Sequence, residues 1–152
     1  MGFFTLETAQ AQLAPGGDFG PWIWALALKA EHVSADQVRL RLPYGDHIAR
    51  PGGVVIGQAM MAMADTVMVL AICEKLGRFA TLATISLTTN FLRAAVRQDV
   101  IAVARAVKVG RTTAFGEVDL FVDGSDDPIA QVLATFAVLP DGAGAFNRTD
   151  QR

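Results

Sequence analysis

Between Gly53 and Cys73 the chain is apolar except at Gln58, Asp65 and Thr66. A carboxylate in the middle of such a run can act as a general base or as a nucleophile on a polarised carbonyl. On a helix, residues seven apart share nearly the same face, about 10.5 Å apart along the axis at 1.5 Å per residue. Gln58, Met61, Ala62, Asp65, Met68, Val69 and Ile72 therefore form one stripe, opened by Gly57 and carrying one acid two turns in. A helix opened by glycine presents unpaired N–H groups, which suit a developing oxyanion. A second reading of Asp65 is structural, a core acid bonded to Thr66, Thr84 or an arginine. No phosphate-cradling glycine loop, Ser/His/Asp set or metal motif competes with the carboxylate.

The elements around this stripe follow from periodicity and punctuation. Residues 5–14 read as a short helix capped by Thr5 and stopped at Pro15-Gly16-Gly17. Residues 21–32 read as extended, and 37–42 alternate strictly as a half-buried strand. Pro43 to Asp46 reads as a turn, and the loop through Arg50-Pro51-Gly52-Gly53 leads to the apolar helix. That helix is expected from Gly57 to Leu76, with Lys75 in its last turn and Gly77 as its stop. Four β segments follow, at 82–92, 99–109, 112–122 and 129–139, with a tight hairpin at Gly110-Arg111. The expected order is two strands, a long apolar helix, then an antiparallel four-strand meander, an α+β architecture. Simple alternation puts Ala83, Ile85, Leu87 and Phe91 on one face of the first segment. Thr84 then faces away from the helix, and reaches Asp65 only across a subunit boundary or through a strand irregularity.

Composition narrows the function classes. The 152 residues are 52% hydrophobic and 18% charged, more apolar than one small monomer readily hides, which predicts a homo-oligomer. A net charge of −2 without a basic run gives no case for a nucleic-acid partner. One cysteine, Cys73, and two distant histidines, His32 and His47, provide no disulfide and no zinc framework. No metal site is expected. The apolar run is long enough to span a bilayer, but a mid-membrane Asp65 would cost about 2.5–3.5 kcal/mol. A fully buried core helix accounts for the same hydropathy. The N-terminal residues lack the basic and apolar regions of a signal peptide, so a cytoplasmic protein is expected.

Four motifs in register resemble the hotdog-fold acyl-CoA thioesterases of the PaaI-like, phenylacetate-pathway type. "GGVVIGQAMMAMADT" matches the family's glycine-rich turn followed two turns later by an acidic residue and Ser or Thr. Residues 84–95, "TISLTTNFLRAA", match its next block. "VKVGRT" at 107–112 matches its hairpin, and Ala130 to Phe136 its closing strand. The resemblance covers roughly residues 20–140. It implies a hotdog fold, a long central helix wrapped by a twisted antiparallel β-sheet, over 21–140. Residues 1–20 would form an N-terminal helix and loop, and 141–152 a disordered tail.

The resemblance also implies roles. Asp65 would be general base or nucleophile, and Gly57 with the Gln58 amide would donate to the thioester oxygen. Thr84 would hold the carboxylate or the attacking water. Arg93 and the Lys108/Arg111 hairpin would meet CoA phosphates, with Arg50, Gly53 and Asn90 also on the substrate side. The partner would be an acyl-CoA at a homodimer or homotetramer interface, with no cofactor beyond the substrate's own CoA. The chain departs from members with a His-Gly-Gly turn: Ile56 stands where they have His, and Gln58 where they have Gly. Arg50 occupies a preceding polar position that is often Asn. Two rival functions are a non-catalytic acyl-CoA-binding hotdog domain and a hotdog dehydratase or hydratase. The latter needs a histidine with an acid partner, and neither histidine is on the helix.

Overall fold

The computed structural model describes residues 2–142. The expected tail at 141–152 lies almost wholly outside the described residues. Helix α1, Leu6–Leu13, begins where Thr5 and Thr8 form a reciprocal capping box. A one-turn helix α2, Pro21–Trp24, precedes strands β1, Lys29–Val33, and β2, Val38–Leu42. A single 3-10 turn at Asp46–Ile48 leads into the ribbon of β3, Ala49–Arg50, and β4, Val54–Val55. Helix α3 runs Gly57–Leu76. Strands β5, Leu82–Phe91, β6, Val100–Val109, β7, Thr113–Val122, and β8, Ala130–Val138, follow.

Thirteen of the 20 residues of α3 are buried, so the helix is the core of the molecule rather than one of its surfaces. The inner faces of β2, β6, β7 and β8 wrap it with Val38, Leu40, Ala102, Ala104, Val118, Leu120, Val132 and Phe136. Gly116 on β7 is glycine because α3 lies against it. A Cβ there would stand 2.4 Å from Met68 Sδ and 2.8 Å from the Arg105 carbonyl oxygen. The helix ends at Gly77, in the left-handed region at φ 69°, whose N–H bonds the Cys73 and Glu74 carbonyls. Glu74, near the end of α3, is buried and accepts the N–H groups of Phe3 and Phe4 at 3.0 and 2.7 Å. It ties the N-terminal segment down onto α3.

The sheet order is β1-β2-β6-β7-β8-β5, entirely antiparallel. The expected meander is therefore corrected at one joint: β5 pairs with β8, and β6 pairs with β2. The segment between β5 and β6 has no tight turn. It bonds back to the ribbon instead, with Val55 N–H on the Ala95 carbonyl and Arg97 N–H on the Gly53 carbonyl, both at 2.9 Å. That anchor carries the chain to the other side of the sheet before β6 starts. The extended reading of 21–32 also fails in its first half. Pro21 in the first turn presets helical φ for "PWIW", and Ala27 turns back at φ 54° before β1.

The two sheet edges differ. The Gln10 side chain covers the short β1 edge, Nε2 donating to the Leu28 carbonyl at 3.1 Å and Oε1 accepting from Ala30 N–H at 2.8 Å. Among the described residues the ten-residue β5 edge has no such cover, and Ile85, Phe91 and Leu92 beside it are about half exposed. An open edge of this length is a template for pairing with another strand.

Candidate functional site

Asp65 stands on an accessible stripe of α3, with Gln58, Met61 and Val69. Thr84 Oγ1 donates to Asp65 Oδ1 at 2.6 Å. The contact depends on a β-bulge. Thr84 pairs with Phe136 and Ser86 with Thr135, leaving Ile85 without a partner on β8. One extra residue inverts the alternation, so Thr84 joins Leu87 and Phe91 on the helix side although simple counting puts it outside. Of the two routes by which Thr84 could reach Asp65, a subunit boundary or a strand irregularity, the irregularity makes the contact within one chain. Thr66, the adjacent hydroxyl, bonds back to the Ala62 carbonyl at 2.8 Å instead.

The second feature is the start of α3. Ile56 is the N-cap and has no side-chain cap. Among the described residues the N–H groups of Gly57, Gln58 and Ala59 have no acceptor, while Ile56 N–H is used by the Ile48 carbonyl. They open on a cleft of about 680 Å³ bounded by Arg50, Val54, Gly57, Gln58, Met60, Phe91, Leu92 and Arg93. The absent side chain at position 57 lets Phe91 approach, with its ring Cζ 3.0 Å from where a Cβ would be. The site thus divides in two along α3. Gly57 and Asp65 are eight residues, about 12 Å, apart on the helix axis, and Asp65 does not line the cleft.

Other sequence candidates fall around these two features. Arg50 and Arg93 line the cleft, and Arg93 is ion-paired to Asp127 at 2.5 Å. Gly53 is buried at φ 82° in the turn before α3. Asn90 pairs with Gln131 on the sheet's outer side, away from α3. Lys108 and Arg111 stand at the β6–β7 hairpin, at the Thr84 end of the sheet and far along β5 from Phe91. Arg111 shares a recess there with Arg78 and Thr112. His32 on β1 and His47 in the 3-10 turn are both exposed and away from Asp65. Among the described residues no group of three or more His, Cys, Asp or Glu is placed to hold a metal ion, and no helix is long and apolar enough to cross a membrane.

The charged outer face is a separate construction. Arg41 bonds Glu31, Asp99 and Asp123, and Arg39 bonds Glu31 as well. Burial pushes the Glu31 carboxyl up, but the hydrogen bonds from Arg41 and Arg39 together outweigh it and hold it below the usual range. The Arg41 hydrogen bond likewise lowers Asp123. Burial raises the Cys73 thiol, which faces the Ala80 backbone inside the core.

A helix held in a curled antiparallel sheet is a fold shared with solved structures. The family model described as "Thioesterase superfamily" matches residues 52–129. The chain belongs to the thioesterase superfamily. The matched span runs from the turn before α3 to the residue before β8 and so includes Gly57, Asp65 and Thr84. The chain is 35% identical over 126 residues to a Halobacterium salinarum protein provisionally named an esterase, covering 76% of this chain and 83% of that one. A structure from a Silicibacter species, provisionally named a thioesterase, has a TM-score of 0.79 at 29% identity over 90% of this chain and 93% of that one. A mutant thioesterase of Pseudomonas aeruginosa has a TM-score of 0.76 at 25% identity over 90% and 95%. The fold of this superfamily member is the hotdog fold.

Proposed function

We propose that the protein hydrolyses acyl-CoA thioesters of the PaaI-like type, in the cytoplasm, at sites shared between two subunits. The observation that carries this reading is the layout of β5. Its helix-facing residues touch the two half-sites at its two ends, Thr84 at Asp65 and Phe91 at Gly57. Antiparallel pairing of the open β5 edge with a second copy, about a twofold axis at Thr88, sets Leu87 opposite the partner's Thr89. With bulged Ile85 counted out, Thr84 then falls opposite the partner's Phe91. Asp65 of one subunit thereby meets the open N–H groups at the partner's Gly57. The 12 Å that separates the half-sites within one chain disappears across the axis.

In the assembled site the thioester oxygen accepts from the N–H groups at Gly57 and Gln58. Asp65, oriented by Thr84, takes a proton from water as the water oxygen attacks the carbonyl carbon. The tetrahedral oxyanion is held by the same N–H groups until the C–S bond breaks. The products are the free acid and CoA thiol, which recovers the proton. Direct attack by an Asp65 oxygen would give an acyl–aspartyl anhydride that water then opens, and it uses the same geometry. Neither route needs a metal or organic cofactor.

Thiol release measured across short, long and aromatic acyl-CoAs tests the reading. Turnover of at least one class supports it. Saturable acyl-CoA binding with no thiol release favours a binding domain instead.

A further inference from the structure

Arg97 was not singled out by its sequence context, yet it occupies an unusual position. It is in the left-handed region at φ 48°, one of two non-glycine residues with positive φ among those described. Such a conformation in a residue with a Cβ signals a local constraint. The constraint is visible: Arg97 N–H bonds the Gly53 carbonyl, and Val96 bridges Val54. The Arg97 side chain then lies across Gly53. A Cβ at Gly53 would meet Arg97 Cγ at 2.7 Å, Nε at 3.0 Å and Cζ at 3.1 Å. Glycine at 53 therefore does two things. It takes φ 82°, and it leaves a bed on which the guanidinium rests.

The bed forms one wall of a recess of about 320 Å³, which also contains Arg50 and so adjoins the cleft at the start of α3. Among the described residues neither Arg50 nor Arg97 is paired with a carboxylate, whereas Arg39, Arg41, Arg78, Arg93 and Arg105 all are. Asp46 also lines the recess but pairs with neither arginine. Two guanidinium groups left without carboxylate partners in one recess make a receptor for an oxyanion, because the planar fork matches phosphate and carboxylate oxygens.

We propose that Arg97, laid across Gly53 in the recess that Arg50 also lines, binds an anionic group of the substrate, a phosphate or a carboxylate remote from the reacting carbonyl. The inference rests on the thioesterase reading for the identity of the substrate, and on Arg97 and Gly53 for the site. In CoA thioesters that group can be a phosphate of the CoA portion or a terminal carboxylate of a dicarboxylic acyl chain.

The test compares wild type with Arg97→Gly, which keeps the left-handed backbone accessible, and with Arg97→Lys, which keeps the charge. Four thioesters separate the sources: hexanoyl-CoA, hexanoyl-pantetheine, adipoyl-CoA and adipoyl-pantetheine. Loss of a charged hydrogen-bond partner is expected to raise KM about tenfold or more in Arg97→Gly, with kcat within about twofold and partial rescue by lysine. A penalty on both CoA esters assigns phosphate, and one on both adipoyl esters assigns carboxylate. Equal KM values for wild type and Arg97→Gly on all four, or an equal penalty on hexanoyl-pantetheine, would overturn the proposal. If wild type hydrolyses none of them, the thioesterase reading fails separately. Calorimetric titration with CoA and with adipate then decides this site: weaker binding of either by Arg97→Gly upholds it, and unchanged or absent binding of both overturns it.

Discussion

The Thr84 hydroxyl reaches Asp65 Oδ1 because Ile85 is an unpaired bulge residue, so one extra residue in β5 aims the side chain that orients the acid. Thr84→Val should keep the fold and lower kcat about tenfold or more, the scale of a hydrogen bond to a charged group. KM should change little, and Thr84→Ser should retain most activity. Steady-state kinetics on one good acyl-CoA checks this. A Thr84→Val enzyme with unchanged kcat would remove Thr84 from the site.

A Cβ at position 57 collides with the Phe91 ring, so Gly57→Ala should shift the start of α3 and lower kcat/KM by about tenfold or more, given what a displaced oxyanion donor costs. Gly57→Ala and Asp65→Asn chains should complement each other when mixed and reassociated. A hybrid dimer has one site with both defects and one with none. Recovery of about a quarter of wild-type activity is expected from random pairing. No recovery would place both groups of a site on one chain.

Gly116→Ala tests the packing that seats α3. The added methyl meets Met68 Sδ and the Arg105 carbonyl oxygen at under 3 Å, and should destabilise the protein by about 1–3 kcal/mol as overpacking. Urea denaturation should show a lower midpoint with an unchanged slope.

The outer-face network should register in acid. Glu31 and Asp123 are held below their ordinary pKa values in the folded protein by the Arg41 contacts, Glu31 against the upward push of burial. A depressed acid contributes stability above its unfolded pKa and loses it as pH falls through the folded value. Arg41→Met should therefore be less stable than wild type at neutral pH, and the gap should narrow as pH falls below about 4. Denaturation midpoints measured from pH 7 downward check the sign, and a gap that widens in acid would contradict it.

The parts of this architecture written in local pattern were legible without coordinates. Gly57 and Gly77 bound α3 as expected, alternation marked β2, and β7 and β8 fall within expected β segments. The crossing of β5 to the far side of the sheet was not, because the anchor that decides it, residues 95–97 on 53–55, is non-local. The bulge at Ile85 is equally silent, since "TISLTT" alternates in either register. Glu74 and Arg97 were missed for the same reason. Their partners, Phe3, Phe4 and Gly53, are more than 40 positions away in the chain. Asp65 stood out because a lone acid in an apolar helix is conspicuous from types alone.

The most direct measurement is thiol release from acyl-CoA by wild type and Asp65→Asn side by side, with acyl-CoA binding measured on both. The expected result is substrate binding within a few-fold and a rate lower by about 10³-fold or more in the variant, as for loss of a base or nucleophile acting in the transition state. Equal rates of CoA release from the two proteins would contradict the assignment of Asp65 and the mechanism built on it.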